Sequence, residues 1–323
     1  MNAEVQRLID DIDALVARPS VPPRPIRGKH LEPGSLYRLD EKLGFAVKVA
    51  LTTGRPLLLT GAPGSGKSTL APYLARQFAW RYYQHVLTGR TEATDLLYRF
   101  DSLRKLSDAS DPKRKRDLDD RDYVEPGVLW WTFAPATART RGGSIRPATE
   151  PNPEVNAGRS PKHAVVLLDE IDKADPDVPN ALLEALGSFE FTVIESGRPV
   201  ALNESTARAL IVLTSNGERA LPPAFIRRCV TYRIAAPTSD HLVMIAQMHA
   251  EAEGRRWTKS FAARVKVLAD VTEAAAAGAA VRRAPGTAEF LDAVLAAFEL
   301  KIADQTLLDD LVGLTITKDD LRR

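Results

Sequence analysis

The chain of 323 residues contains a single cysteine, Cys229. One thiol cannot form an intrachain disulfide, and such cysteine usage is typical of the reducing cytosol. We interpret Cys229, which lies beside two arginines, as a small buried residue rather than a nucleophile. The five histidines show no ligand spacing with this thiol, so the sequence predicts no structural metal site.

Long apolar runs are also missing from the chain. The longest uninterrupted stretches fall far short of the roughly 20 residues that cross a bilayer, so we expect no transmembrane segment. The N-terminal residues 1–4 lack the basic start and apolar core of a signal peptide, and we expect a cytoplasmic protein.

Excess charge of either sign is absent too. A net charge of +2 is too small to indicate nucleic-acid binding. The one dense basic run, residues 113–116, is followed at once by Asp117, Asp119 and Asp120. This favours a solvated mixed-charge segment, with a nucleic-acid or partner contact as the alternative.

The chain does contain a glycine-rich loop of a specific kind. It matches the pattern G-x-x-x-x-G-K-[ST] at every fixed position, and its residues are Gly61, Ala62, Pro63, Gly64, Ser65, Gly66, Lys67, Ser68 and the following Thr69. The apolar run 56–60 before it suits a buried parallel strand, and residues 70–78 after it suit a helix. Glycines let backbone N–H groups curl around an anion, Lys67 can reach the β- and γ-phosphates, and Ser68 can ligate Mg²⁺. The loop therefore predicts binding of a nucleoside triphosphate.

A second apolar run, residues 164–168, ends in Asp169 and Glu170. A carboxylate at the carboxyl end of a strand beside the phosphate loop can hold Mg²⁺ through water, which is the role expected of Asp169. Glu170 is then placed to polarise a water against the γ-phosphate. Two acids in this order favour a hydrolase over a kinase.

Two further predicted strands have polar side chains beside them: an amide follows one strand, and two arginines precede the other. Asn216 ends the apolar run 209–215, where its amide could hydrogen-bond the attacking water or the γ-phosphate; alternatively, it merely starts a turn. Arg227 and Arg228 precede the strand-like run 230–234. We interpret them as guanidinium donors for a neighbouring subunit's nucleotide, although either could instead pair with a carboxylate of its own chain.

The order of these four motifs resembles that of AAA+ ATPases. Three further segments are similar to the MoxR-like branch: residues 180–193, residues 123–131 and residues 282–291. The resemblance covers residues 37–323. It implies ATP and Mg²⁺ as ligands, with residues 61–69 around the phosphates and Asp169 and Ser68 at the metal.

The resemblance also implies roles for the remaining candidates. Glu170 would be the catalytic carboxylate, Asn216 would be sensor 1, and Arg227 or Arg228 would be the finger acting in trans. Related chains often carry the sensor 2 arginine where this chain has Gly286. Arg282 or Arg283 must then substitute for it, or the contact is absent.

These anchors predict an α/β fold: a three-layer αβα sandwich of the P-loop NTPase class with a parallel sheet, followed by a small helical lid domain. The expected domains are an N-terminal helix and proline- and arginine-rich linker (1–36), the nucleotide-binding domain (37–236) and the lid (237–323). Residues 102–122 and 135–162 have little apolar content. We expect both to be exposed insertions, and the second to be disordered.

The sequence thus favours a MoxR-like AAA+ ATPase that hydrolyses ATP in a homo-oligomeric, hexameric ring and remodels or activates a protein partner. The resemblance suggests a von Willebrand-type domain protein as that partner. Two alternatives stay open: an ATP-gated scaffold with slow turnover, and a nucleic-acid motor or loader. A GTPase is disfavoured because the Asn-Lys-x-Asp base-reading motif is absent.

Overall fold

The computed structural model describes residues 3–17, 34–111, 118–144, 146–203, 207–278 and 284–317. The chain divides into two compact units, each discontinuous in sequence. The first consists of Met1–Ile9, Phe45–Leu59 and Leu74–Tyr232, and the second of Asp10–Gly44, Thr60–Tyr73 and Arg233–Arg323. The linker expected at residues 19–33, the basic run 113–116 and the candidates Arg282 and Arg283 lie outside the described residues.

The strands in the described residues are β1 (Leu57–Thr60), β2 (Trp80–Val86), β3 (Tyr98–Phe100), β4 (Val124–Pro126), β5 (Ser160–Asp169), β6 (Glu190–Val193), β7 (Arg198–Ala201), β8 (Arg208–Ser215) and β9 (Val230–Arg233). A five-stranded sheet with the order β2-β5-β8-β1-β9 organises the first unit. β2 and β8 both pair in parallel with β5, with Val86 opposite Asp169 at one end of the β2–β5 ladder. Two antiparallel strand pairs, β3–β4 and β6–β7, form separate small sheets.

The parallel sheet with flanking helices confirms the expected α/β class. The four predicted strands are β1, β5, β8 and β9. Their central residues are fully buried in β5 and β8, as expected of apolar runs covered on both faces. β2 was not predicted, because its sequence WRYYQHV is neither a continuous apolar run nor a strict alternation of apolar and polar residues. It lies at an edge of the sheet, where such a pattern is tolerated.

Fifteen α-helices are present in the described residues, and α1 lies where the sequence predicts the N-terminal helix. They are α1 (Ala3–Ala17), α2 (Glu41–Thr53), α3 (Lys67–Gln77), α4 (Ala93–Leu97), α5 (Ser102–Ser110), α6 (Val128–Phe133), α7 (Pro135–Arg139), α8 (Pro153–Asn156), α9 (Asp177–Ala181), α10 (Leu183–Ser188), α11 (Pro223–Ile226), α12 (Ser239–Ala252), α13 (Lys259–Ala277), α14 (Thr287–Glu299) and α15 (Gln305–Val312).

The segment 135–162 differs from the exposed insertion that composition suggested. It includes α7 and α8, and its final residues already belong to β5. Several of its residues are buried: Ala138, Arg141, Ser144, Ala148, Glu150 and Asn156. The expectation was wrong because it counted apolar residues only, whereas Glu150 and Asn156 are buried by bonding one another and the edge strand β2. In the segment 102–122, helix α5 has no buried residue, but Asp122 is buried.

The helices after residue 238 form their own apolar core in the second unit. Phe261, Val265, Phe290 and Leu308 are among its buried members. Thr238 and Thr258 cap α12 and α13 by accepting the backbone N–H groups three residues on. These helices lie within residues 237–323, the stretch that was expected to form the lid, and its role as a separate domain stays a prediction.

Candidate functional site

The loop between β1 and α3 has the backbone that a phosphate cradle requires. Gly61, Gly64 and Gly66 have φ values of 149°, 73° and 86°, a region that only glycine enters without strain. A Cβ atom on Gly61 would lie 2.7 Å from the carbonyl oxygen of Ile234. All three glycines therefore satisfy a conformational requirement, and Gly61 also satisfies a steric one.

Lys67 stands inside this loop and is almost fully buried, with 5% of its surface exposed. Its Nζ donates to the carbonyl oxygens of Gly61 and Ala62 at 2.9 and 2.7 Å, so the ammonium group organises the loop. The Oγ of Ser65 is buried and has no hydrogen-bond partner among the described residues. A loop with an ammonium at its centre, a buried unpaired hydroxyl and the start of α3 at Lys67 fits a triphosphate.

The first turn of α14 lies against the same loop, within the second unit. A Cβ on Gly286 would lie 2.6 Å from the carbonyl oxygen of Pro63, and a Cβ on Gly64 would lie 2.8 Å from Oε2 of Glu289. Gly286 is the N-cap of α14, and its N–H donates to Glu289 at 3.1 Å. At the place where related chains carry an arginine, this chain thus makes a backbone-to-backbone contact.

A second candidate cluster, which is acidic, belongs to the first unit. Asp169 ends β5, and Glu170 follows it in the left-handed region at φ 59°, ψ 47°. Thr214 of the neighbouring strand β8 joins the two, because its Oγ1 donates to Asp169 Oδ1 and accepts the N–H of Glu170 at 2.9 Å. Sequence analysis missed Thr214, although its position one strand from Asp169 in a parallel sheet was a usable signal.

Asn216 and Lys173 both approach the Glu170 carboxylate. Nδ2 of Asn216 donates to Oε1 at 3.3 Å, and Nζ of Lys173 lies 2.8 Å from the same oxygen. The structure therefore brings Asn216 to Glu170, two residues that were singled out separately. The pKa of Lys173 is raised, chiefly by the hydrogen bond to Glu170 and further by the negative charges of Glu218 and Asp172. Sequence analysis did not single out Lys173.

Arg227 and Arg228 follow the short helix α11 and are both exposed. Nη1 of Arg228 donates to the carbonyl oxygen of Leu183 at 3.3 Å, which leaves most of its five N–H donors available. Within the described part of the chain, no ion pair or hydrogen bond holds the Arg227 side chain. Neither guanidinium is therefore neutralised by a carboxylate of the first unit.

Cys229 is buried next to this pair, as predicted. Burial raises the pKa of its thiol to about 12, so the thiolate needed for nucleophilic chemistry does not form near neutral pH. Cys229 and Arg228 also border a cavity of about 490 Å³, whose apolar wall includes Leu186 and Phe225.

No group of three or more His, Cys, Asp or Glu side chains within the described residues could hold a metal ion by itself. A divalent cation at this site would therefore share its coordination between protein, phosphate oxygens and water, as Mg²⁺ commonly does. Asp169 and the hydroxyl of Ser68 are oxygen ligands of the type that Mg²⁺ prefers. None of the helices in the described ranges is sufficiently long and apolar to span a bilayer.

Comparison with known proteins gives one family and several distant structures. A family model described as the AAA domain of the dynein-related subfamily matches residues 56–229, more than half of the 323-residue chain. Curated proteins gave no match. The solved structure of RuvB, the Holliday junction branch migration motor of Thermotoga maritima, is 16% identical over 82% of this chain and 68% of its own, with a TM-score of 0.39. A proposed ATPase from Cytophaga hutchinsonii is 13% identical over 97% of this chain and 87% of its own, with a TM-score of 0.44.

Proposed function

Because the chain belongs to the dynein-related subfamily of AAA domains and is thereby an ATP hydrolase, we propose that it acts as a MoxR-like AAA+ ATPase. In this proposal it assembles into a homo-oligomeric ring, hexameric as in related enzymes, and uses ATP hydrolysis to remodel or activate a protein partner. The observation that carries the hydrolytic part is the junction of Glu170, Asn216 and Thr214 at the ends of β5 and β8.

The chain's own residues divide the work on ATP. The backbone N–H groups of the loop 61–69, in which only Pro63 has none, and the ammonium of Lys67 bind the phosphates, with the charge of Lys67 opposing that of the β- and γ-oxygens. Ser68 and Asp169 would hold Mg²⁺, which when bound neutralises phosphate charge and favours attack by water. The Thr214 hydroxyl fixes the position of the Asp169 carboxylate relative to the backbone of Glu170.

Glu170 orients the attacking water and accepts its proton as the water oxygen bonds to the γ-phosphorus, while the bond from that phosphorus to the β–γ bridging oxygen breaks and ADP leaves. Asn216 holds the Glu170 carboxylate through Oε1 and so restricts its rotation. Arg227 or Arg228 stabilises charge on a neighbour's γ-phosphate, which makes turnover depend on assembly. Both arginines are exposed after α11, which supports a role in trans.

The contact of α14 with the phosphate loop supports a lid that responds to the nucleotide. Since Gly286 and Gly64 meet through their backbones, a shift of the loop on phosphate binding would be passed to the first turn of α14. Movement of the lid after product release would change the geometry of the ring, and that motion would be the output. Arg282 and Arg283 remain candidates for a side-chain contact with the nucleotide.

The proposed partner is a cytoplasmic protein, and a von Willebrand-type domain is suggested by the likeness of residues 123–131, 180–193 and 282–291 to the MoxR-like branch. Two of these segments pack together: Trp130 of α6 and Phe191 of β6 meet edge to face with ring centroids 6.0 Å apart. An ATP-gated scaffold with slow turnover is the second candidate. It would be favoured if turnover stayed low when the partner was added.

The experiment compares the variants Lys67→Ala and Glu170→Gln with the parent protein. We expect Lys67→Ala to lose ATP affinity, because the loop loses its central charge. Glu170→Gln should bind ATP as the parent does but hydrolyse it about a hundred- to ten-thousand-fold more slowly. Because the stalled assembly should retain its partner, affinity capture with Glu170→Gln in ATP is the route to that partner.

Lys162→Ala is the matched control, since Lys162 is an exposed lysine at the opposite end of β5 from Asp169. It should bind and hydrolyse ATP like the parent. Comparable turnover in Glu170→Gln and the parent protein would overturn the assignment of the catalytic carboxylate.

A further inference from the structure

We infer that Lys173 is a positioning residue for ATP hydrolysis: it holds one carboxylate oxygen of Glu170 so that the other faces the attacking water. This inference rests on the proposed role of Glu170 as the residue that orients that water. Lys173 lies outside the four sequence motifs.

The backbone brings Lys173 back over Glu170. After β5 the chain turns at Glu170, whose left-handed conformation is uncommon for a side chain of this size. A single 3₁₀ turn, Ile171–Lys173, follows directly, and the N–H of Lys173 donates to the carbonyl oxygen of Glu170 at 2.9 Å. Residues three apart in a 3₁₀ turn lie one above the other. The ion pair between the two side chains is therefore a consequence of the local fold.

Lys173 and Asn216 both approach the same carboxylate oxygen of Glu170. Lys173 Nζ at 2.8 Å and Asn216 Nδ2 at 3.3 Å both meet Oε1. Both of these side-chain contacts are made to Oε1, and the Glu170 side chain is 29% exposed. A carboxylate held through one oxygen keeps the other as a hydrogen-bond acceptor in a fixed direction. This is the arrangement that a water-orienting carboxylate requires.

Asp172 fixes the turn that carries Lys173. Its carboxylate is buried and accepts the N–H groups of Glu218 at 2.8 Å and Asn216 at 3.4 Å. The 3₁₀ turn after β5 is thus tied to the loop after β8, which supplies the second donor to Glu170. Lys173 and Asn216 are consequently held in one geometry by the same buried residue.

Two other roles for the ion pair predict different results. An ordinary surface pair would contribute little to stability and nothing to turnover. An inhibitory latch would keep Glu170 away from water, and its removal would accelerate hydrolysis. Positioning predicts the opposite sign, because a freely rotating carboxylate spends less time in the productive orientation.

The test uses the full-length protein with the variants Lys173→Met and Lys173→Arg. Lys162→Met is the control, since it removes the charge of an exposed lysine, in β5, by the same substitution. For Lys173→Met we expect kcat to fall about three- to thirty-fold with little change in KM for ATP, a smaller loss than that of Glu170 itself. Lys173→Arg should recover most of kcat, since it restores a donor, and Lys162→Met should leave kcat unchanged.

A double-variant cycle separates positioning from an independent structural effect. Combining Lys173→Met with Glu170→Gln should slow residual single-turnover cleavage no further than Glu170→Gln alone, because Lys173 acts through that carboxylate. An unchanged or raised kcat in Lys173→Met, or equal losses in both backgrounds, would overturn the inference while leaving the proposed function intact. Full turnover in Glu170→Gln would instead overturn the proposed function and this inference with it.

Discussion

The clearest structural prediction concerns Glu150, the buried acid that fastens the segment 135–162 to the edge strand β2. Its Oε1 is contacted by Nη1 of Arg81 and accepts from the hydroxyl of Tyr83 at 2.9 Å, while Oε2 accepts from Nη2 of Arg139 at 3.0 Å. Nδ2 of Asn156 also lies 3.3 Å from Oε1. The side chains of Glu150 and Arg81 are only 8% and 14% exposed.

Glu150→Ala would remove one partner of this buried pair, so that Nη1 of Arg81 and the hydroxyl of Tyr83 lose their acceptor and Arg81 keeps only the bond from Nε to the carbonyl oxygen of Ser160. Breaking a buried ion pair in this way typically costs about 3–5 kcal/mol. Because about 1 kcal/mol shifts the unfolding midpoint of a domain of this size by roughly 2–4 °C, we expect Tm to fall by about 6–20 °C. Arg139 is half-exposed, so the loss of its ion pair with Glu150 contributes little to this loss of stability.

The assay is thermal unfolding followed by circular dichroism, combined with limited proteolysis of the native protein. Glu150→Ala should also open residues 146–160 to cleavage, whereas the parent should resist cleavage there. Glu154→Ala is the control, because Glu154 lies in the same segment but is exposed. If Glu150→Ala melted within about 2 °C of the parent, the anchoring role of Glu150 would be refuted.

Two further predictions concern assembly and the lid. Arg227→Ala and Arg228→Ala should differ: one of them should abolish hydrolysis and leave ATP affinity intact. Mixing that variant with Lys67→Ala should restore part of the turnover, because each subunit supplies what the other lacks. Co-assembled mixtures that stayed inactive would exclude a finger acting in trans. Gly286→Ala should weaken ATP binding about tenfold by calorimetric titration, because its Cβ would overlap the phosphate loop, whereas Gly278→Ala meets only ordinary contacts. Equal ATP affinity in the two glycine variants would show that the contact between α14 and the loop does not matter for binding.

The strands at the centre of the sheet could be predicted from sequence, whereas the edge strand could not. β5 and β8 are covered on both faces, so they require continuous apolar runs that stand out in any window. β2 lies at an edge of the sheet and carries Arg81, Gln84 and His85 among its aromatic residues. β2 pairs with residues of β5 that lie about 80 positions further along the chain, so a local stretch of sequence does not reveal the pairing.

The same distinction applies to the segment 135–162. Its composition predicted exposure, since few of its residues are apolar. The structure buries Glu150 and Asn156 instead, because each finds hydrogen-bond partners on β2. Whether a polar side chain can be buried depends on where its partners lie after folding.

What the sequence by itself determined is the phosphate loop, the order of the acidic, amide and arginine positions, and the α/β class. These follow from local requirements: glycines for positive φ, an ammonium for phosphate, and carboxylates at the ends of buried strands. Only the tertiary structure decided that Thr214 joins Asp169 to Glu170, that Lys173 and Asn216 share one carboxylate oxygen, and that Gly286 meets the phosphate loop through its backbone. Apart from the short turn that carries Lys173, these contacts join residues far apart in sequence, so the packing of strands and helices is what creates them.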